Sequence, residues 1–212
     1  MPIFQLTEDL IFPHPSLAED GILAVGGDLS PERLLLAYQN GIFPWYNEGE
    51  PIIWHAPDPR FVLFPEKFKK SKSLRLLIKK NTYTCSINRN FEDVIKNCKN
   101  INRRDGEGTW ITDEMQSAYI KLHKLGFAKS VEVYNLKNEL VGGLYGVQLG
   151  KIFFGESMFS KESNTSKIAL AYLIEKSNIK LIDAQVYTSH LESLGGEYIP
   201  LNEFLLFLKK YT

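Results

Sequence analysis

Residues Glu139 to Ser160, ELVGGLYGVQLGKIFFGESMFS, constrain the fold more than any other stretch of the chain. Val141, Leu144, Tyr145, Val147, Ile152, Phe153 and Phe154 are the β-branched, aromatic and aliphatic residues that suit a half-buried pleated surface. Gln148 to Lys151 contains the glycine expected of a tight connection, so the spacing predicts a hairpin. Gly142, Gly143, Gly146 and Gly155 fall inside its strands, where glycine marks a bulge or the close approach of another group. Glu156 stands among Phe153, Phe154, Met158 and Phe159, and a carboxylate in such surroundings needs a partner. Strict alternation would send Phe153 and Glu156 to opposite faces. A shared site therefore requires a bulge near Gly155.

The remaining elements are those of an α+β (mixed α/β) protein. Ser30, Pro31 and Gly41 bracket a helix as N-cap, first-turn proline and C-terminal glycine. Tyr83–Ile87 and Lys129–Tyr134 read as strands, and Asn90 and Thr112 as caps of amphipathic helices. A helix is expected from Ser163 or Asn164, a strand over Leu181–Val186 and a last helix from Asn202. The prolines of APDPR, Ala56 to Arg60, place a boundary between a small N-terminal part and the rest.

At 212 residues and 44% apolar content the chain can bury a proper core. The first residues lack a signal-peptide pattern, no run is long enough to span a membrane, and Cys85 and Cys98 are the only cysteines. Cytoplasm is the expected compartment. The four histidines show no metal-ligand spacing, so no metal is expected.

Charge is zero in total and uneven along the chain. Residues 1–50 carry eight acids and one base, whereas residues 51–104 carry four acids and thirteen bases. Lys67, Lys69, Lys70, Lys72, Arg75, Lys79 and Lys80 form an acid-free run, the composition of a phosphate-binding surface. In LIDAQV, alternation places Leu181, Asp183 and Gln185 on one face, a carboxylate beside an amide. Trp45 and Trp110 lie in Pro- or Gly-flanked loops where a nucleobase could stack.

Five ordered segments, AVGGDLSPERLLLAYQNGIFPWY, PIIWHAPDPR, EGTWIT, SVEVYNLKNELVGGLYGVQLGKIFFGESMFS and LIDAQVYTSHLESLGGEYIP, resemble the bacterial leucyl/phenylalanyl-tRNA-protein transferase family over nearly the whole chain. The resemblance implies a small domain over residues 1–62 and an acetyltransferase-like domain over 63–212 that uses no coenzyme A or other cofactor. It implies transfer of Leu or Phe, with Met as a further donor, from aminoacyl-tRNA to proteins beginning with Lys or Arg, which marks them for degradation. Asp183, Gln185 and Glu156 would carry the reaction. Tyr38, Trp45, Trp110, Leu144, Phe153, Ser160, Ile182 and Thr188 would hold the adenosine and the amino acid. The basic run would follow the tRNA backbone, and the protein would act as a monomer away from membranes. Two other readings fit less. A coenzyme A enzyme should show glycines where Ser160–Lys167 has none, and a non-catalytic RNA-binding module leaves Glu156, Asp183 and Gln185 without a role.

Overall fold

The computed structural model describes residues 3–101 and 110–212. The first fifty-five residues build a four-stranded sheet from β1 (Phe4–Leu6), β2 (Ile22–Gly26), β3 (Phe43–Pro44) and β4 (Ile53–His55), in the order β1-β2-β4-β3. Helix α1 (Pro31–Gln39) lies between β2 and β3. Its ends follow the sequence signals: the Ser30 side chain accepts from Arg33 N–H, and Gly41 takes φ +73°, the left-handed conformation glycine adopts without strain. Arg33 is fully buried, and its guanidinium donates to the carbonyls of Thr7, Glu8 and Asp9 and to Asp28, tying the loop after β1 to α1.

The larger sheet has seven strands: β5 (Arg60–Leu63), β6 (Thr84–Ile87), β7 (Ala128–Tyr134), β8 (Leu140–Leu149), β9 (Ile152–Ser160), β10 (Leu181–Gln185) and β11 (Glu197–Ile199). Their order is β11-β5-β10-β9-β8-β7-β6. Every neighbouring pair is antiparallel except β9 and β10, which run parallel. A parallel pair needs a long crossover, supplied here by α5 (Thr165–Lys176). The other helices are α2 (Lys72–Lys79), α3 (Phe91–Asn100), α4 (Asp113–Lys124), the short α6 (Ser189–Ser193) and α7 (Leu201–Tyr211).

Alternation along the strands supplies a core on each face. Leu144, Phe153 and Ile182 pack with residues of α2 and α5. Tyr145, Val147 and Phe154 pack with residues of α1, α3, α4 and α7 and of the small sheet. The glycines of β8 are there for close approach. A Cβ on Gly146 would stand 2.1 Å from the Phe154 carbonyl oxygen, and one on Gly142 would meet the Thr165 side chain at 2.4 Å.

The sequence reading of these elements holds with small shifts at their ends. Asn90 precedes α3 without the side-chain cap bond expected of it, its amide donating to Tyr134 Oη instead; Asn164 precedes α5 in a left-handed conformation, also without a side-chain cap bond, and α7 begins one residue before Asn202, after Pro200. Among the described residues no helix is long and apolar enough to cross a membrane.

Candidate active site

The bulge that Phe153 and Glu156 would need to share a site is present. Gly146 pairs with Gly155 and Tyr145 with Ser157, so Glu156 is the additional residue on β9. Both Phe153 and Glu156 line a cavity of about 470 Å³. Glu156 is buried, and its carboxylate collects three partners. Tyr38 Oη donates at 2.8 Å to Oε1, Tyr119 Oη at 2.8 Å to Oε2, and Gln185 Nε2 at 3.0 Å to Oε1.

Burial pushes the Glu156 carboxyl up from 4.5 to about 7, against the downward pull of these donors. Proton counting agrees with that direction. The two tyrosine hydroxyls stand 2.5 Å apart as well as touching the carboxylate, which makes three oxygen contacts for two hydroxyl protons. A protonated Glu156 supplies the third proton and closes the ring. Both tyrosine hydroxyls are raised well above their ordinary value, first by burial and then by Glu156.

On β10 the expectation of strict alternation fails. The pairing with β5 slips between Asp183 and Gln185, and Gln185 sits at φ +64°. Ile182, Ala184 and Gln185 line the cavity, whereas Asp183 does not. Asp183 is fully buried against Arg60, with Nε at 2.8 Å from Oδ1 and Nη2 at 2.7 Å from Oδ2. The Arg60 guanidinium lies over the rings of Phe43 and Phe204, 4.6 and 4.8 Å from their centroids. Asp183 Oδ1 also accepts the backbone N–H of Gln185 at 2.9 Å. Asp183 therefore reaches the cavity through the backbone of Gln185. Because the Gln185 amide nitrogen donates to Glu156, its carbonyl oxygen remains as an acceptor at the cavity wall.

The apolar wall comprises Leu144, Phe153, Met158, Leu170 and Ile182, with Trp45, Trp110 and Thr188 also on the lining. Trp45 is 42% exposed and leans on His55. Besides Asp183, two residues expected at the site lie off the lining. Tyr38 is buried behind Glu156, and the Ser160 hydroxyl bonds Ser166.

The basic run is apart from the cavity. Lys69, Lys72, Arg75, Lys79 and Lys80 are exposed, Lys70 is half-buried, and Lys67 is ion-paired with Glu197. Arg103, Arg104 and the residues leading to Trp110 lie outside the described residues. No group of three or more potential metal ligands occurs among the described residues.

Two residues around the carboxylates escaped the sequence reading. Arg60 ends the APDPR motif, where its charge was counted only as part of a basic zone. Tyr119 sits on the apolar face of α4, where its hydroxyl, needing a buried partner, was the available signal.

Comparison with known proteins completes this picture. The family model described as leucyl/phenylalanyl-tRNA protein transferase matches residues 62–209, and the model of that family's N-terminal domain matches residues 27–58. A relative from Flavobacterium johnsoniae is 56% identical, covering 98% of this chain and 99% of its own. Relatives from Syntrophus aciditrophicus and Syntrophobacter fumaroxidans are 56% and 53% identical, covering 99% and 98% of this chain and 89% and 90% of their own. All three are named leucyl/phenylalanyl-tRNA–protein transferase.

Proposed function

The chain belongs to the leucyl/phenylalanyl-tRNA–protein transferase family, and from that premise we propose that it moves a leucyl or phenylalanyl group from aminoacyl-tRNA to the α-amine of a protein beginning with Lys or Arg. A methionyl group is a further donor of the same shape class. The product is marked for degradation, and the protein acts in the cytoplasm as a monomer. The observation that carries the reading is the single cavity that joins an apolar wall to Glu156 and Gln185.

The chemistry asks little of the protein, because an aminoacyl ester is already activated. Placement and charge stabilisation supply most of the acceleration. An N-terminal α-amine has a pKa of about 8, so a useful fraction is neutral near pH 7. Its nitrogen attacks the ester carbonyl carbon, the C–N bond forms, the bond to the adenosine 3'-oxygen breaks, and that oxygen takes up the proton the amine gives up. The neighbouring 2'-hydroxyl can pass this proton along.

In this scheme the Gln185 carbonyl oxygen accepts an N–H of the attacking amine and aims its lone pair. Asp183 and Arg60 fix Gln185 by holding its backbone, which makes Asp183 a positioning residue. Glu156 holds the amino group of the transferred residue. Leu144, Phe153 and Ile182 take its side chain, and Trp45, Trp110 and Thr188 take the terminal adenosine. The exposed lysines and arginine of α2 and the segment before it follow the tRNA backbone.

One assay tests the reading. The protein is incubated with labelled leucyl-tRNA and peptides beginning with Lys, Arg or Ala, beside an acetyl-CoA control. Label should pass to the Lys and Arg peptides and not to the Ala peptide. Acetylation in the control, or no transfer from leucyl-tRNA, would overturn it.

A further inference from the structure

If the acceptor protein begins with a cation, something at the cavity mouth must recognise that charge, and the described residues of the lining offer no second carboxylate for it. Among the described residues Glu156 is the one acid on the cavity wall, and beside its bonds from Tyr38, Tyr119 and Gln185 it is already assigned to the amino group of the transferred residue. A second carboxylate stands just outside. Tyr187, a lining residue 44% exposed, donates its hydroxyl to Glu192 Oε2 at 2.8 Å, and Glu192 is exposed on α6. The Tyr187 ring stacks on Tyr198, with centroids 6.1 Å apart and planes 15° apart, and Tyr198 is 53% exposed. Phe61 meets both rings edge-on and fixes their positions.

The result is an aromatic surface with a carboxylate fastened to its edge. Both rings remain about half exposed, and among the described residues Glu192 has no cationic partner. The nearby Lys67 is already paired with Glu197. Faces of tyrosine rings and a carboxylate attract the same kind of group, a primary ammonium or a guanidinium.

We propose that Tyr187, Tyr198 and Glu192 form a cation-recognising shelf at the cavity mouth that receives the side chain of the acceptor's first residue. The inference rests on the transfer activity proposed above and adds to it the site that selects Lys or Arg. Tyr187 comes two residues after Gln185 at the end of β10, which puts the shelf beside the residue assigned to the attacking α-amine. Trp45, on the lining and assigned to adenosine, is followed along the chain by the acidic turn Asn47–Glu50, which is not on the lining.

The test measures steady-state transfer from leucyl-tRNA to two peptides that differ in the first residue, Arg or its neutral isostere citrulline. Glu192→Gln should raise KM for the Arg peptide about 2- to 5-fold, the size expected of an exposed charge contact. It should leave KM for leucyl-tRNA, kcat and the citrulline peptide unchanged. Adding Tyr198→Ala should widen the Arg-peptide effect further, whereas Tyr187→Phe, which keeps the ring and frees Glu192, should give a smaller one. A rise in KM for leucyl-tRNA would show that the shelf holds nucleotide and would overturn the proposal, as would equal shifts for both peptides or no shift at all. Wild-type protein that transfers to neither peptide would instead overturn the transferase reading and the shelf with it.

Discussion

Glu156 on β9 and Asp183 on β10 are two carboxylates buried on adjacent, parallel strands, and they are held in opposite ways. Among the described residues Glu156 has only neutral donors, two phenols and an amide, and burial raises it to about 7. Asp183 has a bidentate guanidinium, which compensates its charge directly. Both carboxylates are buried, and what differs between them is the charge of the partner that meets each. The two are linked through Gln185, whose backbone belongs to Asp183 and whose side chain belongs to Glu156. A fixed charge on one side thus positions the amide that contacts a titratable group on the other.

The comparison breaks most visibly at Arg60. Arg60→Met should leave Asp183 as an uncompensated buried charge and cost about 3–5 kcal/mol in equilibrium urea unfolding. A cost below about 1 kcal/mol would mean that Asp183 is no more dependent on a cation than Glu156 is. For the same reason Asp183→Asn strands the Arg60 guanidinium, so its effect on turnover must be read beside its stability.

Glu156→Gln should change how stability depends on pH. The folded-state pKa of Glu156 lies above its unfolded value, so the native state binds the extra proton between pH 4.5 and about 7. Its contribution is complete below pH 4.5 and is lost as pH rises through 7, a decline on the order of 3 kcal/mol. The variant lacks this decline, so unfolding curves of both proteins at pH 5 and pH 8 should converge at low pH and separate at high pH. Parallel behaviour would show that burial does not raise Glu156.

Gln185→Met tests the link itself. It removes the amide contact to Glu156 and the free carbonyl while the backbone bond to Asp183 remains. The lost contact to a charged or reacting group corresponds to about 1.5–3 kcal/mol, so kcat/KM should fall roughly tenfold to a hundredfold with little change in melting temperature. A large loss of stability would make Gln185 a structural residue. The smallest effect belongs to Tyr119→Phe. It deletes one donor to the ionised carboxylate, costs about 1 kcal/mol, and moves the Glu156 titration further upward; a downward move would contradict the donor role of Tyr119.

The two bulges also differ in how far the sequence disclosed them. Gly155 stands beside a carboxylate in an aromatic run, and the need to bring Phe153 and Glu156 together pointed to an extra residue at that place, where it is found. LIDAQV contains no glycine and alternates cleanly, so nothing local announced that Gln185 would take a left-handed conformation and separate from Asp183. The partners that explain both carboxylates lie far along the chain, Arg60 at 123 residues from Asp183 and Tyr38 at 118 from Glu156. Caps and hydrophobic periodicity report on neighbours within a few turns, which is why the helix starts at Ser30 and Thr112 were legible and these pairs were not.

The most direct test of the contrast is a carbon-13 NMR titration of the Glu156 side-chain carboxyl. Its resonance should titrate with a midpoint near 7. A midpoint at or below its ordinary 4.5 would contradict the account.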